Sequence, residues 1–120
     1  MVWMRGGPTV LRIYSTVDGR KPFQEWLDSL KDYNAQARIL VRLERVRLGN
    51  FGDWKLIGEG IYELRIDVGP GYRVYFGQDA KSLVLLLCGG SKATQRSDIV
   101  AAKRYWKDYR SRKNGTKRTL

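Results

Sequence analysis

Histidine is missing from this 120-residue chain, cysteine occurs once, and no apolar run approaches the ~20 residues that span a membrane. The lack of histidine removes the commonest general base and the commonest metal ligand. One cysteine and scattered carboxylates do not suggest a zinc site, so we expect neither a metal nor a bound small-molecule cofactor. Cys88 cannot form an internal disulfide and lies in an apolar run, which predicts a buried thiol in a cytoplasmic protein without membrane association.

Acidic residues are scarce relative to basic ones. Twelve Asp and Glu face 23 Lys and Arg, which gives a formal charge of +11. The excess is concentrated in residues 92–120, where ten basic residues accompany two acidic ones. This balance favours a polyanionic partner, namely nucleic acid, a ribonucleoprotein or an acidic protein.

Hydrophobic periodicity and turn residues predict the order β-α-α-β-β-β-α. We therefore expect an α+β fold in which an antiparallel sheet carries two N-terminal helices on one face, followed by a C-terminal helix. Residues 1–110 are predicted to form one domain and residues 111–120 a basic, disordered tail. The expected elements are strands at 10–14, 61–67, 72–78 and 83–88, and helices that begin at Pro22, at about Ala35 after a break at Asn34, and between Thr94 and Ser97.

The alternating pattern of the second and third strands assigns their residues to two faces. Tyr62, Leu64, Ile66, Tyr72, Val74 and Phe76 are predicted to face the helices, which leaves Glu63, Arg65, Asp67, Arg73 and Tyr75 on an open face. Two readings of Arg73 follow. It forms a cross-strand ion pair with Glu63 or Asp67, or it joins Arg65, Lys55 and Lys92 in binding an anion.

Phosphate is the anion that best fits such a group of cations. Arginine binds phosphate oxygens in bidentate fashion, and a lysine that loses its proton can activate a ribose 2′-hydroxyl. The set therefore suits cleavage of a phosphodiester without metal. Basic strands also occur in proteins that only bind RNA, and composition does not separate these two functions.

Two further segments could contact phosphate. Gly89 to Gln95 resembles a phosphate-cradling loop before a helix, although a plain strand-to-helix turn has the same glycines and the segment lacks the Gly-Lys-Ser/Thr ending of a P-loop. The helix near residues 35–48 carries Arg38, Arg42 and Arg45 beside the stripe Ile39, Leu43 and Val46. The apolar stripe is expected to face the core and the arginines to face solvent or a partner.

Several sequence blocks between Val10 and Tyr109 resemble the RelE/ParE toxin superfamily, and most closely its phage-derived, HigB-type addiction module killer branch. The blocks are Arg38 to Leu40, Leu48 to Lys55, Gly58 to Arg65, Gly69 to Phe76 and Leu86 to Lys92. The resemblance implies a RelE-like fold and the toxin of a bacterial type II toxin-antitoxin system. It also implies a cognate antitoxin, often of helix-turn-helix type, and action on messenger RNA at the ribosome without metal.

The resemblance assigns roles to particular residues. Arg73 is expected to grip the scissile phosphate and Lys55 to act as the base, with Arg65 and Lys92 completing the catalytic set. Many relatives have a tyrosine early in the last helix, where this chain has Ile99 and Val100, so Tyr105, Tyr109 or Lys92 is left as general acid. Residues predicted to contact RNA are Arg38, Arg42, Arg45, Tyr75, Gln95 and Arg96.

Two alternatives to a ribosome-dependent endoribonuclease remain open at this stage. A ParE-like protein would use the same fold to inhibit DNA gyrase without cleaving anything. A non-toxic RNA-binding module would share the basic surface and cause no growth arrest.

Overall fold

The computed structural model describes residues 7–80 and 82–118, with side chains to residue 113. Its elements run along the chain as five strands, three helices and one short 3-10 helix. They are β1 (Val10–Ile13), α1 (Pro22–Ser29), α2 (Tyr33–Arg47), β2 (Trp54–Gly58), β3 (Ile61–Ile66), β4 (Tyr72–Asp79), β5 (Leu83–Ser91), the 3-10 helix Lys92–Thr94 and α3 (Gln95–Arg118).

The strands form one sheet in the order β1-β5-β4-β3-β2. Strands β2 to β5 are an antiparallel meander, whereas β1 pairs with β5 in parallel. The α+β class is confirmed, but the prediction of a purely antiparallel sheet is wrong. Helices α1 and α2 and strands β2 to β4 separate β1 from β5 along the chain, so β1 joins the sheet by a crossover.

Strand β2 was not among the strands predicted from the sequence. Instead Trp54 and Lys55 pair with Leu64 and Glu63 of β3, and the register then shifts between Leu56 and Gly58. The sequence Trp-Lys-Leu-Ile-Gly does not alternate cleanly and ends in a bulge, so it gives a weak strand signal.

The start of α2 lies earlier than predicted. Asp32 is its N-cap, with a carboxylate oxygen that accepts a hydrogen bond from the Ala35 backbone N–H at 3.1 Å. Asn34 therefore lies in the first turn of α2 instead of breaking the chain. The break occurs at Leu30, whose backbone is extended.

Both faces of the sheet are covered. The six residues predicted to face the first two helices are buried there with Phe23, Ile39 and Val46, as expected. The opposite face, predicted to be open, packs against α3 through a second core of Ile61, Tyr75, Leu87 and Trp106, among others. The apolar stripe of α3 needs a surface to bury, and this face of the sheet provides it.

Two glycines allow tryptophan rings to pack closely against the sheet. A Cβ at Gly77 would stand 2.3 Å from the Trp106 ring, and a Cβ at Gly89 would stand equally close to the Trp26 ring. Trp106 comes from α3 and Trp26 from α1, so the two helices use the same device on opposite faces.

The far end of α3 is tied to the sheet by side-chain hydrogen bonds. Tyr109 donates to the Asp79 carboxylate at 2.7 Å, and Lys113 pairs with the same carboxylate. Asp108 accepts a hydrogen bond from Tyr14. Contacts of the fold thus reach Lys113, beyond the boundary predicted at residue 110, and the disordered tail over 111–120 stays a prediction.

No helix in the described part of the chain is long and apolar enough to cross a membrane.

Candidate functional site

The register of the sheet sets charged residues side by side on the face that α3 only partly covers. Arg65 of β3 lies directly opposite Arg73 of β4, and Arg73 lies opposite Gly90 of β5. Asp53, just before β2, continues this row, because its carbonyl accepts a hydrogen bond from the Arg65 N–H at 2.9 Å. Two adjacent arginines repel each other, so both need partners.

Arg73 finds its partner in a buried carboxylate. Its Nε lies 3.5 Å from Oε2 of Glu63, a residue with no exposed surface, while the Arg73 side chain is 13% exposed. Gln95, at the start of α3, donates to the same Glu63 oxygen at 2.8 Å. The predicted cross-strand ion pair with Glu63 therefore exists, but it is buried instead of solvated.

This ion pair is a contact between charges without a hydrogen bond, and it involves Nε instead of the outer nitrogens of the guanidinium. The nearest approach of Arg73 to Glu63 is through Nε. A Cβ at Gly71 would lie 3.8 Å from Arg73 Nη1 and 4.0 Å from the Cβ of Lys92. Gly71 has φ +82°, a conformation that glycine adopts without strain, and its lack of a side chain leaves space between the two cations.

These groups line a cleft of about 440 Å³. Its walls comprise three cations, Arg65, Arg73 and Lys92, together with the turn Gly69–Gly71, Tyr72, Ile66 and the carboxylates Asp53 and Asp67. The cleft thus contains three of the four predicted catalytic residues. Lys92 is exposed, and no ion pair involving it is found among the residues the structure describes.

Carboxylates balance part of the positive charge in the cleft. Arg65 pairs with Asp53 at 2.9 Å, and both side chains are substantially exposed, 41% and 56%. An exposed pair of this kind is worth only ~0 to 1 kcal/mol, so an incoming anion can replace Asp53 as the partner of Arg65. Lys92 has no ion-pair partner among the described side chains, so an anion can bind it without displacing a carboxylate.

Lys55 lies outside this cleft. It is exposed on β2, directly opposite Glu63, and therefore lies one row from Arg65 on the same face of the sheet. The structure brings Arg65, Arg73 and Lys92 together and places Lys55 beside them.

Three residues predicted to contact RNA are already engaged or buried. Tyr75 has no exposed surface, so its expected position on an open face is wrong. Burial, and then the nearby Glu63 carboxylate, raise the pKa of the Tyr75 hydroxyl. Gln95 is engaged through its hydrogen bond to Glu63. Arg42 donates to the carbonyls of Arg65 at 2.6 Å and Phe51 at 2.9 Å, so it fixes the loop before β2.

The remaining predicted RNA contacts, Arg38, Arg45 and Arg96, are exposed. Arg38 and Arg45 line a second cleft, of about 390 Å³, which shares Ile66 and Asp67 with the first. Arg96 lies on α3 and lines neither cleft.

The glycines proposed as a phosphate cradle have another role. Gly89 and Gly90 belong to β5, and a Cβ at Gly90 would lie 1.8 Å from a carboxylate oxygen of Asp98. The expected exit turn at these glycines is therefore wrong. Because these glycines have no side chains, Trp26 can pack against Gly89 and Asp98 against Gly90.

The tyrosines considered as general acids lie elsewhere. Tyr109 is bound to Asp79 and Tyr105 stacks on Tyr14 with ring centroids 5.1 Å apart. Tyr72 does line the cleft, and the sequence pattern missed this because its alternation assigned Tyr72 to the core alone. The position of Tyr72 beside the Gly69–Gly71 turn was the available signal.

No group of three or more Cys, Asp or Glu side chains that could hold a metal ion occurs within residues 7–80 and 82–118.

Comparison with known proteins places the chain in a family. Residues 25–107 match the family described as phage-derived protein Gp49-like. The chain is also 53% identical over 81 residues to an uncharacterized protein of Haemophilus influenzae, an alignment that covers 68% of this chain and 82% of that relative. These matches do not distinguish the HigB-type branch, which stays a prediction. The chain belongs to the Gp49-like family of phage-derived proteins, a family associated with toxin-antitoxin modules.

Proposed function

We propose that the protein is the toxin of a type II toxin-antitoxin pair and that it cleaves messenger RNA on the ribosome without a metal ion. The observation that carries the proposal is the cleft in which Arg65, Arg73 and Lys92 converge around Gly71. Family membership supports the toxin role, and the resemblance of the sequence blocks to the RelE and HigB groups supports the ribosome as the place of action.

The scissile phosphate would lie between Arg73 and Lys92. Glu63, which accepts a hydrogen bond from Gln95, pairs with Arg73 Nε, so the outer nitrogens of Arg73 stay available to the substrate. Arg65 would exchange Asp53 for a second phosphate oxygen. Together these cations stabilise the negative charge that develops on the phosphate during cleavage.

The proton transfers complete the reaction. Lys55 would accept the proton of the ribose 2′-hydroxyl as its oxygen forms a bond to phosphorus. The bond from phosphorus to the 5′ oxygen breaks, and Lys92 would donate a proton to that leaving oxygen. The products are a 2′,3′-cyclic phosphate and a free 5′-hydroxyl, so no oxidant, water or cofactor is consumed.

Exposed cations outside the cleft would supply affinity for ribosomal RNA. Arg96, Lys107 and Arg110 project from α3 into solvent. Contacts of this type are independent of sequence and weaken steeply as salt concentration rises.

The test is primer extension on a reporter mRNA that has been incubated with purified protein, with and without translating ribosomes. New 5′ ends in register with codons, appearing only with ribosomes, are the expected result. Growth arrest with loss of DNA supercoiling and no new RNA ends would replace the proposal with gyrase inhibition. RNA binding without growth arrest would replace it with a non-toxic RNA-binding module.

A further inference from the structure

Helix α2 has a second apolar face that points away from the core. Its buried face packs on the sheet through Ala35, Ile39, Leu43 and Val46. On the other side, four large apolar residues are exposed to between 51% and 79% of their surface: Tyr33, Leu40 and Val41 of the helix and Leu48 at its C-cap. With the exposed Ala37 they fall within an arc of about 100°, along roughly 22 Å of helix.

This arc is wide enough to seat another helix. Globular helices bury an apolar stripe of about this width against a neighbour, whereas scattered exposed apolar residues show no such arrangement. Glu44 is the one charged residue inside the arc, and Arg47 neutralises it through an ion pair of 2.6 Å.

Arginines border one side of the arc and point to an acidic occupant. Arg38 and Arg45 flank the cleft whose floor includes Ala37, Val41 and Ile66. Across the side chains that the structure describes, neither arginine forms an ion pair. A helix with one apolar stripe and acidic residues beside it would satisfy both the apolar arc and the two free guanidinium groups.

Two other occupants fit this surface less well. A second copy of the chain would bring another charge of +11 and another pair of arginines against the first, which repel. RNA would pair with the arginines but would leave the aliphatic side chains of Leu40 and Val41 exposed.

The arc adjoins the proposed catalytic cleft. Ile66 and Asp67 line both cavities, and Arg42 of α2 donates to the Arg65 carbonyl at 2.6 Å. A partner seated on α2 would therefore stand at the edge of the cleft and obstruct a long RNA substrate.

We propose that the outer face of α2 binds an acidic amphipathic helix of the cognate antitoxin, which thereby blocks the neighbouring cleft. This assignment rests on the proposed toxin function. It adds which surface the antitoxin uses and what kind of segment it contributes.

The experiment measures binding of the antitoxin encoded beside the toxin gene to purified protein by isothermal titration calorimetry. Val41→Glu and Arg45→Glu each replace an exposed side chain, so both variants should fold, which circular dichroism checks. Matched controls on α3 are Val100→Glu, at a position that is 63% exposed, and Lys107→Glu. Both α2 variants should bind at least tenfold more weakly than wild type, while the α3 controls should bind within twofold.

Equal loss in the α2 and α3 variants, or no loss in either, would overturn the assignment. If light scattering shows that the wild-type protein is a dimer and that Val41→Glu is a monomer, a second copy of the chain occupies this face, which would also overturn the assignment. The mRNA cleavage assay keeps the two proposals apart. Val41→Glu should cleave mRNA at the wild-type rate but resist inhibition by the antitoxin. If the wild-type protein cleaves no mRNA but still binds the antitoxin through α2, the nuclease proposal is wrong and the docking surface stands.

Discussion

Replacing Arg73 with alanine should destabilise the fold, because Arg73 is the charged partner of a fully buried carboxylate. Removing one partner of a buried ion pair costs about 3 to 5 kcal/mol. Gln95 still donates to Glu63 in the variant, and the original ion-pair distance of 3.5 Å is long. We therefore expect the low end, about 3 kcal/mol.

A double variant separates this effect from a loss of packing. Adding Glu63→Gln to Arg73→Ala removes the unpaired buried carboxylate and should recover at least half of the lost free energy of unfolding. Arg96→Ala removes an exposed arginine and should change stability by less than about 0.5 kcal/mol. Urea unfolding followed by tryptophan fluorescence measures all three variants.

A free energy of unfolding of Arg73→Ala within about 0.5 kcal/mol of the wild-type value would contradict this expectation, and so would a double variant no more stable than the single one. The first result would mean that Arg73 behaves as a residue on an open face. Because Arg73→Ala is expected to lower stability, loss of toxicity in this variant is not by itself evidence for a catalytic role.

Three further predictions concern packing and ionisation. Gly77→Ala places a Cβ 2.3 Å from the Trp106 ring and should lower the free energy of unfolding, measured in urea, by about 1 to 3 kcal/mol. Adding Trp106→Leu should recover part of this loss. Burial, and then the Asp98 carboxylate, raise the pKa of the Cys88 thiol to about 12. At pH 8 a disulfide reagent should therefore label Cys88 in the unfolded protein but not in the native protein. Rapid labelling of the native protein would contradict this. Burial, then its hydrogen bond to Asp79, raise the pKa of Tyr109 to about 12. The unfolded hydroxyl ionises first, near pH 10, so stability present below that pH is lost between pH 10 and 12, and Tyr109→Phe should make this loss shallower in thermal melts.

The meander could be predicted from sequence because its signals are local. Strands β3 and β4 alternate cleanly, so the burial of residues such as Leu64 and Val74 follows from a period of two. The apolar run of β5 lies in a central strand, between β1 and β4, and contributes residues to the cores on both faces of the sheet. Strand β2 lacked both signals and was missed.

The second core was harder to predict because it depends on where α3 docks. The α3 face of β3 mixes Ile61 with Glu63 and Arg65, a pattern that usually indicates solvent. A glutamate is rarely fully buried unless paired, so its burial follows only once Arg73 and Gln95 are known to meet it. The same limit applies to the site. Sequence spacing put Arg65 and Arg73 on one face, but the fold decides that Lys92 joins their cleft and Lys55 stands one row away.

In the proposed mechanism the cleft of Arg65, Arg73 and Lys92 binds the scissile phosphate. Lys92 is the best probe of this claim because it is exposed and has no ion-pair partner among the described side chains, so its loss should leave the fold intact. The measurement is the rate of ribosome-dependent mRNA cleavage by Lys92→Ala, with the exposed Lys31→Ala as control. A fall of about 100-fold or more for Lys92→Ala, with Lys31→Ala near wild type, is the predicted result. Cleavage by Lys92→Ala at the wild-type rate would contradict the claim.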